Sequence, residues 1–174
     1  MIKNFLSAIL IALNFLPVHS YADQVKINIT AKVMVRTCTI SSGSKDFLVS
    51  LMPGDLRNAA VGVPFSATSF AINLEDCPAN IKMAHVNFTA ESDPVMPNLL
   101  KTTSDTDSDA SGIAIGLYDS DNKNIDIRNN LTDFVINHDV TVNSLSFSAA
   151  YLKTNDNALP GKVRSFAYFE IAYD

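Results

Sequence analysis

The last segment of the chain alternates between apolar and polar positions. From Gly161 to Asp174, one face of an extended strand carries Val163, Ala167, Phe169, Ile171 and Tyr173. Such a period of two is typical of a half-buried β-strand. The sequence stops directly after this segment, so we expect a core strand with no turn and no partner strand following it.

A second alternating segment lies near the beginning of the chain. Its apolar positions are Val25, Ile27, Ile29, Ala31 and Val33, and its polar positions are Lys26, Asn28, Thr30 and Lys32. Terminal segments are usually frayed and polar, so a strand pattern here is unusual. One end therefore resembles a strand that is free to pair, and the other an edge that needs a strand.

The segments in between predict many short strands and few helices. Turn residues recur at Pro53-Gly54, Pro78, Asn129-Asn130 and Pro160-Gly161, and no window of a dozen residues shows a helical apolar stripe. Short strands separated by such turns favour an all-β sandwich. The predicted strands are Lys32–Cys38, Phe47–Leu51, Ser69–Leu74, His85–Ala90, Ile113–Tyr118, Phe134–Ile136, Leu145–Leu152 and Val163–Tyr173.

The first 22 residues predict a secretory signal peptide. Lys3 precedes an apolar run from Phe5 to Leu16, and Ser20-Tyr21-Ala22 has the small-x-small form of a cleavage site. The apolar run is short for a membrane span, and no later segment is long and apolar enough to be one. We expect cleavage after Ala22 and one compact domain thereafter.

Two cysteines, Cys38 and Cys77, follow the predicted signal peptide. In an oxidising compartment a disulfide between them is favoured over a metal site or a nucleophile. A loop of about forty residues closed in this way stabilises a fold by roughly 3 to 4 kcal/mol on the chain-entropy estimate.

Composition and motifs exclude several functions. The net charge is −5 and lysines and arginines do not cluster, which argues against binding to nucleic acid or anionic lipid. Asp105, Asp107 and Asp109 lack the glycine and glutamate of a calcium loop. His85 and His138 have no accompanying nucleophile motif, so neither an enzyme nor a cofactor is expected.

Taken together, these features resemble subunits of chaperone-usher fimbriae, in the type 1 fimbrial family. Cys38 follows the N-terminal extension, Cys77 precedes a proline, Gly161 stands fourteenth from the end, and Tyr173 is penultimate. The segment Leu145–Tyr151 is similar to the penultimate strand of these subunits.

The resemblance implies an immunoglobulin-like β-sandwich that lacks its last strand and is completed by a donor strand from a neighbouring subunit. It implies residues 1–22 as signal peptide, 23–35 as donor-strand extension and 36–174 as pilin domain. The partners would be a periplasmic pilus chaperone, an outer-membrane usher and neighbouring subunits in a fimbrium on the cell surface. The implied donor residues are Val25, Ile27, Ile29, Ala31 and Val33, and the implied acceptor and chaperone-binding residues are Gly161, Val163, Ser165, Ala167, Phe169, Ile171 and Tyr173.

Two questions stay open at this level. Related extensions commonly carry glycine where this chain has Ala31, which tilts the interpretation towards a minor or adapter subunit over a rod subunit. The alternative to a fimbrial subunit is a self-contained immunoglobulin-like adhesin module that binds carbohydrate or protein through its loops. That alternative requires the N-terminal strand to complete its own fold.

Overall fold

A computed structural model describes residues 36–103 and 106–174, and within these residues the fold is two antiparallel sheets packed face to face. One sheet has five strands in the order β1-β2-β7-β4-β5, and the other has three in the order β6-β3-β8. The strands are β1 (Thr39–Ile40), β2 (Phe65–Glu75), β3 (Met83–Ala90), β4 (Ile113–Tyr118), β5 (Asn124–Ile125), β6 (Thr132–Val135), β7 (Val142–Lys153) and β8 (Ala167–Tyr173). This arrangement confirms the predicted all-β, immunoglobulin-like sandwich.

Among residues 36–103 and 106–174, helical structure is limited to two short pieces, α1 (Ser42–Lys45) and a 3-10 helix (Leu56–Asn58). In the portion of the chain with described coordinates, no helix has the length and apolar character needed to cross a membrane. Both pieces lie in the connection between β1 and β2, where the chain has no regular sheet partner.

The core lies between the two sheets and is centred on Phe147 of β7. Its ring is stacked on Phe70 of β2 and meets the edges of Phe88 of β3 and Phe134 of β6, with centroid distances of 5.7, 4.9 and 5.3 Å. Aromatic pairs in these geometries contribute beyond the area they bury. One side chain therefore joins four strands from both sheets.

The predicted disulfide between Cys38 and Cys77 is present. It joins the residue before β1 to the turn that follows β2, and Cys38 is buried in the core. The bond fixes β1 against the end of β2, where the two strands pair Thr39 with Glu75 and Ile40 with Leu74.

Several predicted strand boundaries are wrong. Phe47–Leu51 is not a strand, because Phe47 packs on the ring of Phe70 and Leu51 on the core while the backbone between them remains irregular. Residues 36–38 of the predicted first strand are also not strand, and the rest of that prediction lies outside the described residues. The last strand begins at Ala167 instead of Val163, because the segment before Ala167 bonds elsewhere than to β3: residues 159–162 bond to residues 108–111, and the carbonyl of Arg164 accepts from the N–H of Thr103.

Candidate functional site

β8 is an edge strand of the three-stranded sheet. It pairs with β3 from Ala84 opposite Tyr173 to Ala90 opposite Ala167, and within the described residues no strand pairs with its other side. Met83 and Asp174 exchange backbone bonds in both directions. Because antiparallel pairs alternate between bonded and non-bonded, the backbone groups of Ala167, Phe169, Ile171 and Tyr173 point away from β3 towards the open edge.

The side chains of these residues show how the core is exposed along β8. Phe169, Ile171 and Tyr173 pack against the core cluster but are only half-buried, while the residues between them are exposed. Ala167, which the sequence predicts on the same face, is exposed at the start of the strand. The open edge therefore combines unpaired backbone groups with incompletely covered apolar side chains.

The facing sheet is also incomplete on one side. β1 covers only the last two residues of β2, and in the described part of the chain the remaining length of β2 has a strand neighbour only in β7. Phe70 of β2 and Leu51 from the preceding connection are half-buried against the core. These residues add apolar side chains that the sequence pattern of the last strand does not reveal.

An open cavity of about 190 Å³ lies beside the segment that leads into β8. Gly161 and Val163 line it together with Phe65 of β2 and Tyr151 of β7, whose rings lie 5.6 Å apart. At least two predicted acceptor residues, Gly161 and Val163, therefore share one recess with residues of β2 and β7 in the five-stranded sheet. Its full lining is Pro53, Gly54, Leu56, Phe65, Ala110, Ile113, Tyr151, Pro160, Gly161 and Val163.

Gly161 has a specific steric reason to be glycine. A Cβ atom at this position would lie 2.4 Å from the backbone nitrogen of Ala110 and 2.4 Å from the carbonyl carbon of Asp109. The adjacent Lys162 donates its N–H to Ser108 at 2.9 Å and accepts from the N–H of Ala110 at 2.8 Å. Gly161 thus permits the close backbone approach that forms one wall of the cavity.

Two other predicted residues have defined surroundings. Ser165 is half-buried, and its hydroxyl donates to the carbonyl of Lys101 at 2.7 Å. The hydroxyl of Tyr173 is buried and has no hydrogen-bond partner among the described residues. Burial raises the pKa of the Tyr173 phenol. The predicted donor residues, Val25 to Val33, lie outside the described residues.

His85 joins the three strands of this sheet on its outer surface, which sequence reasoning did not predict. Its Nδ1 lies 2.7 Å from Oδ1 of Asp133 in β6, and its Nε2 lies 2.8 Å from Oδ1 of Asp174, the residue after β8. Carboxylates only accept, so both ring nitrogens must donate, which requires the charged imidazolium. Hydrogen bonds to Asp133 and then to Asp174 raise the pKa of His85.

His138, the other histidine considered for catalysis, is in a separate environment. Its Nε2 lies 2.9 Å from the carbonyl oxygen of Ile81. The side chain of Asp133 was not predicted to matter because strand register, which places it opposite His85, is not visible in one sequence.

Comparisons with known proteins agree with this geometry. The family model described as "Fimbrial protein" matches residues 27–174. The chain is 30% identical to the uncharacterized fimbrial-like protein YcbV of Escherichia coli K12, with 88% of each protein covered. It is 27% identical to long polar fimbria protein A of Salmonella typhimurium, with 85% of this chain and 83% of that protein covered.

Solved structures show the same fold. The P pilus rod subunit PapA superposes with a TM-score of 0.60 at 18% identity, covering 80% of this chain and 100% of that one. The P pilus adaptor subunit PapF gives 0.51 at 16% identity, covering 82% and 100%. The family match covers most of the sequence and the predicted resemblance is confirmed: this chain belongs to the fimbrial protein family and is a structural subunit of an extracellular fimbrium.

Proposed function

We propose that this subunit is polymerised by donor-strand exchange, accepting a strand at β8 and donating one from its own N-terminal segment. Residues 1–22 are a signal peptide, residues 23–35 the donor extension, and residues 36–174 the accepting domain. The proposed acceptor residues are Gly161, Val163, Ser165, Ala167, Phe169, Ile171 and Tyr173.

The open edge of β8 is the observation that carries this proposal. Backbone groups on alternate residues have no strand partner among the described residues, and the side chains of the same residues leave the core half covered. A strand that adds to this edge supplies hydrogen bonds and covers the core at once. The cavity beside Gly161 and Val163 gives a side chain of that strand a defined place to bind.

The proposed donor has the matching pattern. Val25, Ile27, Ile29 and Val33 are β-branched and would be buried together. At roughly 1.5 to 3 kcal/mol each, their burial supplies on the order of 6 to 12 kcal/mol before the cost of ordering the segment. Ala31 adds a methyl group where glycine is common, which requires more room in the receiving groove.

A periplasmic chaperone and an outer-membrane usher are the proposed assembly partners. An unpaired sheet edge beside an open apolar recess promotes aggregation, so the subunit needs a protein that covers β8 before assembly. The usher would then exchange that cover for the extension of the next subunit.

The proposed role is structural, with a contribution to cell adhesion, and it uses no catalytic residue or cofactor. Ala31 favours a minor or adapter position for this subunit in the fimbrium. The alternative, a self-contained adhesin module, predicts that the N-terminal strand pairs within its own chain.

A peptide of residues 23–35 tests the proposal. The subunit, held by a co-expressed pilus chaperone, is mixed with the peptide and followed by native mass spectrometry and thermal melting. We expect slow exchange to a peptide-bound form that melts at a much higher temperature. A protein that purifies alone as a stable monomer and ignores the peptide would refute donor-strand exchange and favour the self-contained module.

A further inference from the structure

The outward-facing row of β8 has two chemically different ends. Near its start, Tyr168 and Phe166, the residue before β8, are 76% and 73% exposed, which is a large exposure for two aromatic side chains two residues apart. Towards its end, the same row carries Glu170, Ala172 and Asp174. The outer face of β8, which a strand added at the open edge would extend, therefore has an aromatic end and an acidic end.

The acidic end carries a negative charge that its neighbours only partly balance. His85 lies between Asp133 and Asp174, so one imidazolium faces two carboxylates. Glu170 lies opposite Asn87 of β3 and makes no ion pair within the described residues. Lys82, the residue before β3, donates through its Nζ to the carbonyl of Ala79. With Glu170 included, this end of the row has three carboxylates and one histidine cation.

The aromatic end is close to neutral. Phe166 and Tyr168 line an open cavity of about 350 Å³ with Thr89, Glu91 and Lys101. Nζ of Lys101 lies 2.5 Å from Oε1 of Glu91, so these two charges are paired with each other. What this end offers a partner is the faces of two aromatic rings, which attract cations and cover apolar side-chain stems.

The polar row of the N-terminal segment complements this surface. Lys26, Asn28, Thr30 and Lys32 alternate with the proposed groove-filling residues, so they would face outward when that segment binds β8. Lys26 and Lys32 are six residues apart, as are Tyr168 and Asp174. Strands rise about 3.3 Å per residue, so both pairs span roughly 20 Å. In either strand direction, a lysine can therefore lie at each end of the β8 row.

We propose that the outer row of β8 binds the two lysines of an incoming N-terminal extension, and that this extension belongs to a second copy of this chain. One lysine pairs with Glu170 and Asp174, and the other lies over Tyr168 and Phe166. This inference rests on the proposed donor-strand exchange and adds a source of partner selection outside the groove. It implies that the subunit assembles with copies of itself, whereas Ala31 alone favours an adapter position.

A competition experiment tests the outer row separately from the groove. The full-length protein is unfolded and refolded with an excess of two peptides of residues 23–35 in equal amounts, one wild-type and one carrying K26E and K32E. Native mass spectrometry gives the ratio captured. Cross-strand charge pairs contribute modestly, so we expect roughly 5- to 30-fold preference for the wild-type peptide at low salt, falling towards equal capture at high salt.

The reciprocal change sharpens the test. Glu170→Lys removes the unpaired carboxylate and should abolish most of that preference, or invert it. Asp121→Lys makes the same charge change in the turn between β4 and β5, on the other sheet, and should leave the preference unchanged. Equal capture of both peptides at low salt, or an equal effect of both protein variants, would overturn the inference.

A third peptide keeps the two proposals distinguishable. Ile29→Asp places a charge among the groove-filling residues and leaves both lysines intact. We expect it to be excluded. If it binds as well as the wild-type peptide, donor-strand exchange itself is wrong. If it is excluded while charge reversal of the lysines has no effect, donor-strand exchange is supported and the proposed binding of the lysines by the outer row of β8 is wrong.

Discussion

β7 and β8 are both long apolar strands, but they are bonded differently. β7 pairs with β2 on one side and β4 on the other, whereas β8 pairs only with β3 within the described residues. Accordingly, Phe147 of β7 is 2% exposed while Phe169 of β8 is only half-buried. The same alternating pattern therefore gives a fully covered core at β7 and a partly covered one at β8.

The largest expected effect separates these two phenylalanines. Phe147→Ala removes a ring that contacts Phe70, Phe88 and Phe134, and should lower the free energy of unfolding by about 3 to 5 kcal/mol. Phe169→Ala should cost clearly less in the free subunit. Urea unfolding of both variants, without and with the 23–35 peptide, measures the difference.

In the peptide-bound form the cost of Phe169→Ala should approach that of Phe147→Ala, because the bound strand completes the burial of Phe169. Equal costs for the two substitutions in the free subunit would mean that β8 is already covered, and the comparison would fail.

Removal of the disulfide should lower the free energy of unfolding of the whole domain, without distinguishing β7 from β8. Cys38 and Cys77 are 39 residues apart, and opening this loop should cost about 3 to 4 kcal/mol on the chain-entropy estimate. The double change Cys38→Ser with Cys77→Ser, followed by urea unfolding, gives the value. The peptide should still bind the folded fraction, since the bond fixes β1 to β2 and not β8.

A smaller change should affect the acceptor side alone. Gly161→Ala forces a Cβ atom against the backbone of Asp109 and Ala110, so residues 159–162 must move, at an expected cost of about 1 to 3 kcal/mol. Gly43→Ala is the matched control because a Cβ there meets nothing within 4 Å. Thermal melting and peptide capture should both fall for Gly161→Ala and stay unchanged for Gly43→Ala. Normal capture by Gly161→Ala would remove the cavity from the proposed site.

The smallest effect concerns pH. The pKa of His85 is raised in the folded protein by its bonds to Asp133 and Asp174. The stabilisation is therefore fully present below the unfolded pKa near 6.5 and is lost as pH rises through the higher folded value. His85→Gln should flatten the melting temperature across this range. An unchanged pH profile would show that the hydrogen bonds of His85 to Asp133 and Asp174 do not stabilise β8.

The sequence predicts the acceptor strand better than the surface that faces it. Phe169, Ile171 and Tyr173 alternate clearly, because one side of an edge strand faces the core and the other faces solvent. β2 begins at Phe65, four residues before its predicted start, and a register shift between Phe65 and Thr68 interrupts its period. The cavity and the His85 contacts depend on which strands become neighbours, and local pattern does not encode that pairing.

Amide hydrogen exchange along β8 is the most direct test of the open edge. In the free subunit we expect rapid exchange at Phe169, Ile171 and Tyr173, whose N–H groups face away from β3, and slow exchange at Tyr168, Glu170 and Ala172, which bond to β3. Binding of the 23–35 peptide should protect the first set and leave the second unchanged. Protection of the first set before any peptide is added, or no gain after it binds, would contradict the account.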